Sequence, residues 1–469
     1  MVHSFFSLVT RHWLSLLGSL VAAVALVLMV MLVAIELSGF QGGPYLGILT
    51  YMLLPALFLV GLLMIPVGVL LRRRADARAA ARHESAPPLP VIDLNSERTR
   101  GIVLASVVVA MVSAVVLAGA TYRGVHEMET VAFCGTACHT VMQPEHTAFQ
   151  RSPHSRLTCA DCHIGAGADW FVKSKISGSW QLVAVALNLY PTPIPQPVHN
   201  LRPARETCEQ CHWPTKHVGD KLQVRTKFGD DEANTATKTV LLMKIGGQQG
   251  ATSTGIHWHV DPGVKIRYQS DASRQKIYDI ELTRPDGQTR VYKTGEKPEG
   301  ATEWRQMDCV DCHNRPSHTF QLPATEVDAA LQDGRIDRTL PFVKREAMRV
   351  LQVAYPSHEA ARAGITKEVE KFYREKYPEV ASGRAGAVAA AAQALGDIYA
   401  WNVFPKMKVT WGTYINNIGH TEEAPGCYRC HDKKHTTAQG DKIGRNCKTC
   451  HVVLAEDEPD PAILKQFKP

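Results

Sequence analysis

The sequence predicts a mostly α-helical chain with a small β insertion, in which three N-terminal transmembrane helices precede a loop-rich region outside the membrane. Three observations predict it. Three long apolar runs lie within residues 1–122, a basic loop separates the second from the third, and every cysteine falls beyond them in a pair followed at once by histidine.

Leu14 to Leu37 is apolar except for Ser15, Gly18, Ser19 and Glu36. About 20 such residues cross the hydrocarbon core as a helix. Gly47 to Leu71, with Pro55 and Pro66 inside it, is the second run, and Gly101 to Thr121 is the third. A cleaved signal peptide is the alternative for the first, but its apolar stretch is too long and no small-residue cleavage site precedes the second. The link Ser38 to Leu46 carries no charge, whereas residues 72–100 hold Arg72, Arg73, Arg74, Arg78, Arg82, Arg98 and Arg100, with Pro87, Pro88 and Pro90 among them. Positive loops stay on the cytoplasmic side. Residues 1–122 therefore read as a multi-pass domain of a bacterial inner (cytoplasmic) membrane, and everything after Tyr122 reads as periplasmic. The formal charge of +7 invites a nucleic-acid partner. The arginine cluster flanks a membrane span, so the bilayer is the partner read here and no nucleic acid is.

The 12 cysteines form Cys134/Cys138–His139, Cys159/Cys162–His163, Cys208/Cys211–His212, Cys309/Cys312–His313, Cys427/Cys430–His431 and Cys447/Cys450–His451. None is left over for a disulfide, as an exported chain would otherwise use them. A C-x-x-C-H segment attaches haem because its two thiols add to the porphyrin vinyl groups while the adjacent imidazole faces the iron. One such motif is compatible with zinc or redox chemistry. Six that exhaust the cysteines predict six covalently bound haem c groups, with His139, His163, His212, His313, His431 and His451 as proximal iron ligands. The first motif has three residues between its thiols and reads as a functional variant spacing rather than a decayed site.

Fourteen of the 20 histidines remain as sixth ligands. His3, His12 and His83 lie on the wrong side of the membrane. His358 falls in a helix read as solvated. His126 and His146 flank the first motif and stay in reserve. His154, His199, His217, His257, His259, His318, His420 and His435 are the distal candidates. His318 and His435 follow His313 and His431 so closely that each would reach a neighbouring haem rather than its own. Met142 is the other candidate donor, and a thioether would raise the iron potential relative to a second imidazole.

The motifs divide the outer region. Residues 123–220 carry the first three and residues 309–469 the last three, with a β-rich insertion over 221–308. Within that insertion Thr239–Ile245, Val264–Tyr268, Ile277–Leu282 and Thr289–Lys293 read as strands, the last two joined by a hairpin turn at Pro285-Asp-Gly287. A strand through His257-Trp-His259 would put both imidazoles on one face. Pro341 to Ala400 reads as helical scaffold, with Thr366 as an N-cap and Ala387 to Ala394 as a strong helix former.

The stretch from the third span through His163, with Cys134…His139, Met142 and Cys159-Ala-Asp-Cys-His163, resembles the NapC/NirT family of membrane-anchored quinol dehydrogenases. The whole chain is similar to the larger, three-span, ImcH-like inner-membrane members. Supporting stretches are Cys208-Glu-Gln-Cys-His-Trp-Pro214, Gly255-Ile-His-Trp-His259, Cys312-His-Asn-Arg-Pro-Ser-His318 and Lys408-Val-Thr-Trp-Gly412. The resemblance implies that the membrane-proximal haem takes electrons from quinol and that a methionine after its motif can ligate. Met142 matches that methionine, displaced by one residue. It also implies a lysine beside the quinol with an acid two helical turns on. Lys175 matches the lysine, but Leu182 stands where the acid belongs, so Glu145, His146 or Asp169 would substitute. The expected function is oxidation of membrane menaquinol or another quinol and relay of electrons to a periplasmic cytochrome or reductase in anaerobic respiration. A terminal reductase of a small oxyanion at an open haem, and an electron-wiring subunit of a larger membrane complex, are the alternatives.

Overall fold

Trp13–Leu37 and Leu54–Ala81 form two helices long and apolar enough to cross a membrane. They belong to a computed structural model that describes residues 12–37, 53–81, 94–101, 104, 108, 122–137, 139–165, 167–198, 201–213, 219–249, 252–296, 303–420 and 424–467. Small side chains set how closely the two helices approach. Ser15, Ala22 and Ala25 are buried, and the Ser15 hydroxyl donates to the Ile65 carbonyl at 3.0 Å. A Cβ on Gly18 would lie 2.6 Å from the Gly61 carbonyl oxygen, and one on Gly61 would lie 2.7 Å from the Ala22 amide nitrogen. Backbone approach through small residues replaces the hydrophobic drive that lipid cannot supply.

The second helix does not stop at Leu71, where the apolar run ends. Arginine and alanine are strong helix formers, and an Arg72–Asp76 ion pair of 3.0 Å one turn apart carries the helix on to Ala81. Arg72, Arg73, Arg74 and Arg78 are thus helical rather than part of a loop. The third expected span, 101–121, lies outside the described residues apart from Gly101, Leu104 and Val108.

Two compact units make up the chain: residues 1–130 with 164–180, and residues 131–163 with 181–469. The second unit holds every cysteine motif. Its strands form three sheets. β1 (Lys221–Phe228), β2 (Ala236–Met243) and β9 (His451–Glu458) make an antiparallel sheet in the order β1-β2-β9. β3 (Gly247–Gln249) pairs with β4 (Thr252–Thr254). β5 (Lys265–Ser270), β6 (Ile277–Thr283), β7 (Thr289–Lys293) and β8 (Arg305–Gln306) form a sheet in the order β7-β6-β5-β8.

Four of these strands were legible from their alternation, and the β6–β7 hairpin turns where expected, with Gly287 at φ +81°. β1 and β9 were not foreseen. β9 begins on the sixth motif's own histidine, so the sheet is completed from residues 309–469 rather than within 221–308. The strand expected through His257-Trp-His259 is a 3₁₀ turn, Ile256–Val260. Gly255, at φ +70°, turns the chain out of β4 immediately before it. His257 and His259 therefore do not share a strand face.

The helical core of this unit packs Pro323–Gln332, Val343–Leu351, His358–Lys376 and Ala385–Asn402 around Val327, Leu331, Ile336, Leu351, Ile365, Leu395 and Ile398. The helix expected to start at Thr366 starts a little more than two turns earlier. Ser357 caps it by accepting from the Ala360 amide, leaving Thr366 inside. His358, expected to be solvated, is held instead. Its Nε2 bonds the Val403 carbonyl at 2.6 Å and its ring packs edge-on against Phe404.

Candidate functional site

Each motif needs two sulfurs on one side of a short segment. A helical turn provides that, because residues three apart are neighbours on its surface. Cys159–His163, Cys309–Cys312 and Cys447–Cys450 are such turns, and Gly426–Arg429 is a 3₁₀ turn leading into Cys430. The fourth motif is fixed by a reciprocal cap in which Asp308 accepts from the Cys309 amide at 2.7 Å and Asp311 from the Asp308 amide at 2.6 Å. The extra residue of the first motif is absorbed by a π-helical turn, Phe133–Ala137, which leads into the helix His139–Gln150. Gly135 in that turn lies so close to the His146 ring that a Cβ there would collide with it. Met142 lies on the His139–Gln150 helix, whereas Cys138 and the His139 side chain lie outside the described residues, as do His199 and His217.

Four motif histidines each lie beside a distal candidate from elsewhere in the chain. Ring centroids are 6.2 Å apart for His163 and His318, 6.0 Å for His212 and His154, 5.9 Å for His431 and His259, and 6.0 Å for His451 and His420. Two imidazoles on one metal, with bonds of about 2 Å and ring centres about 1.1 Å behind the nitrogens, stand about 6.2 Å apart. The residues present therefore fit a six-coordinate haem iron at all four places. No such imidazole partner faces His313 among the described residues. His435 is buried, its Nε2 has no hydrogen-bond partner among the described residues, and its Nδ1 lies 2.9 Å from Asp432.

Backbone carbonyls at Nδ1 fix which nitrogen is offered. Nδ1 of His154 meets the Pro316 carbonyl at 3.3 Å, that of His259 the Ile256 carbonyl at 2.8 Å, and that of His431 the Gly444 carbonyl at 2.6 Å. Nδ1 of His318 meets the Glu145 carbonyl at 3.0 Å. A proton held on Nδ1 leaves the Nε2 lone pair for iron. Burial holds His163, His259, His313, His318 and His420 below the ordinary histidine range. Neighbouring imidazoles add to this at His163, His259, His313 and His420, while Glu145 opposes it at His163 and His318. The neutral ring is the form that ligates.

The helical scaffold reaches this arrangement through polar contacts. Buried Asn402 accepts from the Gln321 amide at 2.8 Å and donates to Glu326, which pairs with Arg151 at 2.8 Å. These bonds tie the chain just after His318 to the chain just before His154. Glu145 is placed between Arg315 and His318, at 3.3 Å and 3.2 Å. Neither Arg315 nor Asp432 was singled out in the sequence. The adjacency of each to a motif histidine was the available signal.

A hydrogen bond with Cys134 pushes the Cys159 thiol up, and one with Cys208 pushes the Cys309 thiol up. Besides burial, the charge of Cys208 and Cys211 raises Cys162, and that of Cys427 raises both Cys312 and Cys450. Burial pushes the Cys312 thiol up to about 11 and the Cys430 thiol up to about 12. No disulfide joins the described cysteines.

Lys175 and Asp169 lie on the helix Ala168–Ala186. The Lys175 ammonium rests 4.7 Å from the centre of the Phe171 ring, and Lys173 similarly covers Trp170 at 4.3 Å.

Residues 96–194 match the N-terminal region of the NapC/NirT cytochrome c family. The chain is also similar to the cytochrome c-type protein ImcH of Geobacter sulfurreducens, 39% identical over 464 residues that cover 97% of this chain and 90% of that protein. No solved structure matches it.

Proposed function

Because the chain belongs to the NapC/NirT cytochrome c family, with a close likeness to ImcH along nearly its whole length, we propose that it oxidises membrane quinol and relays the electrons through six covalently bound haems to periplasmic acceptors. That it is a membrane-associated cytochrome c carrying covalent haem c follows from the family and from its two apolar helices. The count of six, the three spans, the periplasmic side and the quinol are our reading.

The observation that carries it is the set of four imidazole pairs. A bis-histidine iron has no open position, which favours electron transfer over reduction of a small molecule. Haem supplies a one-electron couple at each motif. The protein's part is to hold the imidazoles neutral and oriented at each motif. Cys134, Cys138, Cys159, Cys162, Cys208, Cys211, Cys309, Cys312, Cys427, Cys430, Cys447 and Cys450 are assigned as attachment points, and the six motif histidines as proximal ligands. His154, His259, His318 and His420 are assigned as distal ligands. Met142, His199, His257 and His435 are the candidates for the two remaining sixth positions, at the irons of His139 and His313.

A quinol must release two protons with its two electrons. We assign Lys175 and Asp169 to orient it and accept protons. Glu145, paired with Arg315, holds His318 in place.

Adding menaquinol to the purified, detergent-solubilised protein should bring up the reduced haem absorbance. Protein that dithionite reduces and menaquinol leaves oxidised would overturn the reading. Turnover of nitrite with a high-spin ferric signal would establish the reductase instead.

A further inference from the structure

The fourth and fifth motifs are joined by one side chain. Arg429 sits inside the fifth, between Cys427 and Cys430, yet its guanidinium reaches the fourth. Nη2 donates to the carbonyl of Asp311, the residue before Cys312. Nη1 donates to the Arg274 carbonyl at 2.7 Å, and Nε to the Gly426 carbonyl at 2.9 Å. All three acceptors are neutral. Among the described residues no carboxylate stands within ion-pair distance of Arg429.

The anions nearby are already engaged. The Asp311 carboxylate is buried, accepts from the Tyr268 hydroxyl and from Arg305 at 3.2 Å, and has Arg274 at 4.0 Å. Asp432 is engaged with His435 and the Lys434 amide. Asp308 accepts from the Ala204 and Cys309 amides, so the carboxylates of these two loops are all engaged by donors other than Arg429. Arg429 is the one whose charge is felt at Cys312, Cys427 and Cys430 together.

We propose that Arg429 is a positioning residue shared by the fourth and fifth haems, which raises both their potentials and fixes the spacing of their attachment loops. Reduction adds one negative charge to each iron centre, so a fixed cation between them, half-buried and without a counter-ion, favours both reduced states. A single charge seated between two centres also links them, so that the pair responds together. Five donors on a planar fork allow the same group to tie three backbone segments at once. The inference rests on haem occupying both motifs, and its test therefore includes a haem count.

The experiment is a spectroelectrochemical titration of the intact, haem-loaded protein in detergent, comparing Arg429→Gln and Arg429→Lys with wild type. Pyridine haemochrome and intact mass confirm that all haems are retained. In Arg429→Gln two transitions should move to lower potential, each by at least tenfold in the reduction equilibrium, which is 59 mV for one electron. Arg429→Lys, which keeps the charge and loses the fork, should leave both near their wild-type positions. Unmoved transitions in the Gln variant, or a shift spread over all centres, would overturn the assignment. Should the Gln variant fail to mature, the Lys variant decides alone, because a fall of the two potentials there shows that charge is not the cause. Wild-type protein lacking haem at the fourth or fifth motif would instead refute the six-haem reading beneath it.

Discussion

His318 stands 6.2 Å from His163, ring centre to ring centre, although one follows the fourth motif and the other ends the second. The pairing is built by Glu145, whose carbonyl and carboxylate both face the His318 Nδ1. A side chain from one haem segment is thereby handed to another, and the two segments become mechanically one. The same exchange recurs at His154, His259 and His420.

His318→Met should therefore change one haem and spare the rest. A thioether in place of the imidazole stabilises ferrous iron, so one of the redox transitions should rise. Electron paramagnetic resonance of the oxidised protein should lose one bis-histidine signal. His358→Ala is the control: that ring bonds a carbonyl and packs on Phe404. It should cost about 1 kcal/mol of stability and leave every potential in place.

Arg315→Ala should be more damaging to stability than its distance from any thiol suggests. The guanidinium is buried, pairs with Glu145, donates to the His318 carbonyl at 2.6 Å and lies 4.4 Å from the Tyr414 ring centre. Its removal leaves the half-buried Glu145 carboxylate with His318 alone beside it, a loss of about 2 kcal/mol. Thermal unfolding with the haem count held constant measures this. Arg315→Lys should recover part of it.

Gly135→Ala tests the π-helical turn of the first motif. The added methyl meets the His146 ring, which must swing away or push the turn aside. Intact mass should show a fraction of molecules one haem short, while a second change, His146→Ala, should restore full loading by opening the space.

Gly61→Leu should separate the two membrane helices. The Ala22 amide nitrogen would lie 2.7 Å from the first added carbon, with the Gly18 carbonyl equally near. Neither neighbour is the flexible end of a side chain. A loss of roughly 1–3 kcal/mol follows from overpacking, read as lower abundance of full-length protein in isolated membranes and faster proteolysis.

How much of this was legible in the sequence depends on the range of each interaction. The cysteine motifs are local, since two thiols and an imidazole within a few residues suffice to mark them. The strands Ile277–Thr283 and Thr289–Lys293 alternate clearly and share a tight turn. β9 was hidden because His451-Val-Val-Leu454 reads first as the tail of a motif, and its partner Ala236–Met243 lies far back in the chain. The imidazole pairs are wholly tertiary: no spacing rule connects His420 with His451 or His154 with His212. The turn at Ile256–Val260 depended on Gly255 adopting positive φ, which alternation alone does not reveal. The continuation of the second membrane helix through Arg72 to Ala81 was masked by the drop in hydropathy, because helix propensity persists where apolarity stops.

Lys175 carries the last prediction. It lies one turn after Phe171, and Ser179, one turn further on, donates to its carbonyl at 2.8 Å, so the backbone here is regular helix and tolerates substitution. Lys175→Met keeps the stem and deletes the charge. If Lys175 takes part in proton removal from quinol, its loss should slow menaquinol-driven reduction by about 10²-fold, the usual weight of one acid–base group. Dithionite-driven reduction, the potentials and the haem count should all stay as in wild type. Asp169→Asn, on the first turn of the same helix, should produce a comparable slowing if the two act as a pair. A Lys175→Met protein that menaquinol reduces at the wild-type rate would remove this helix from the quinol reaction, and leave Glu145 as the residue to test next.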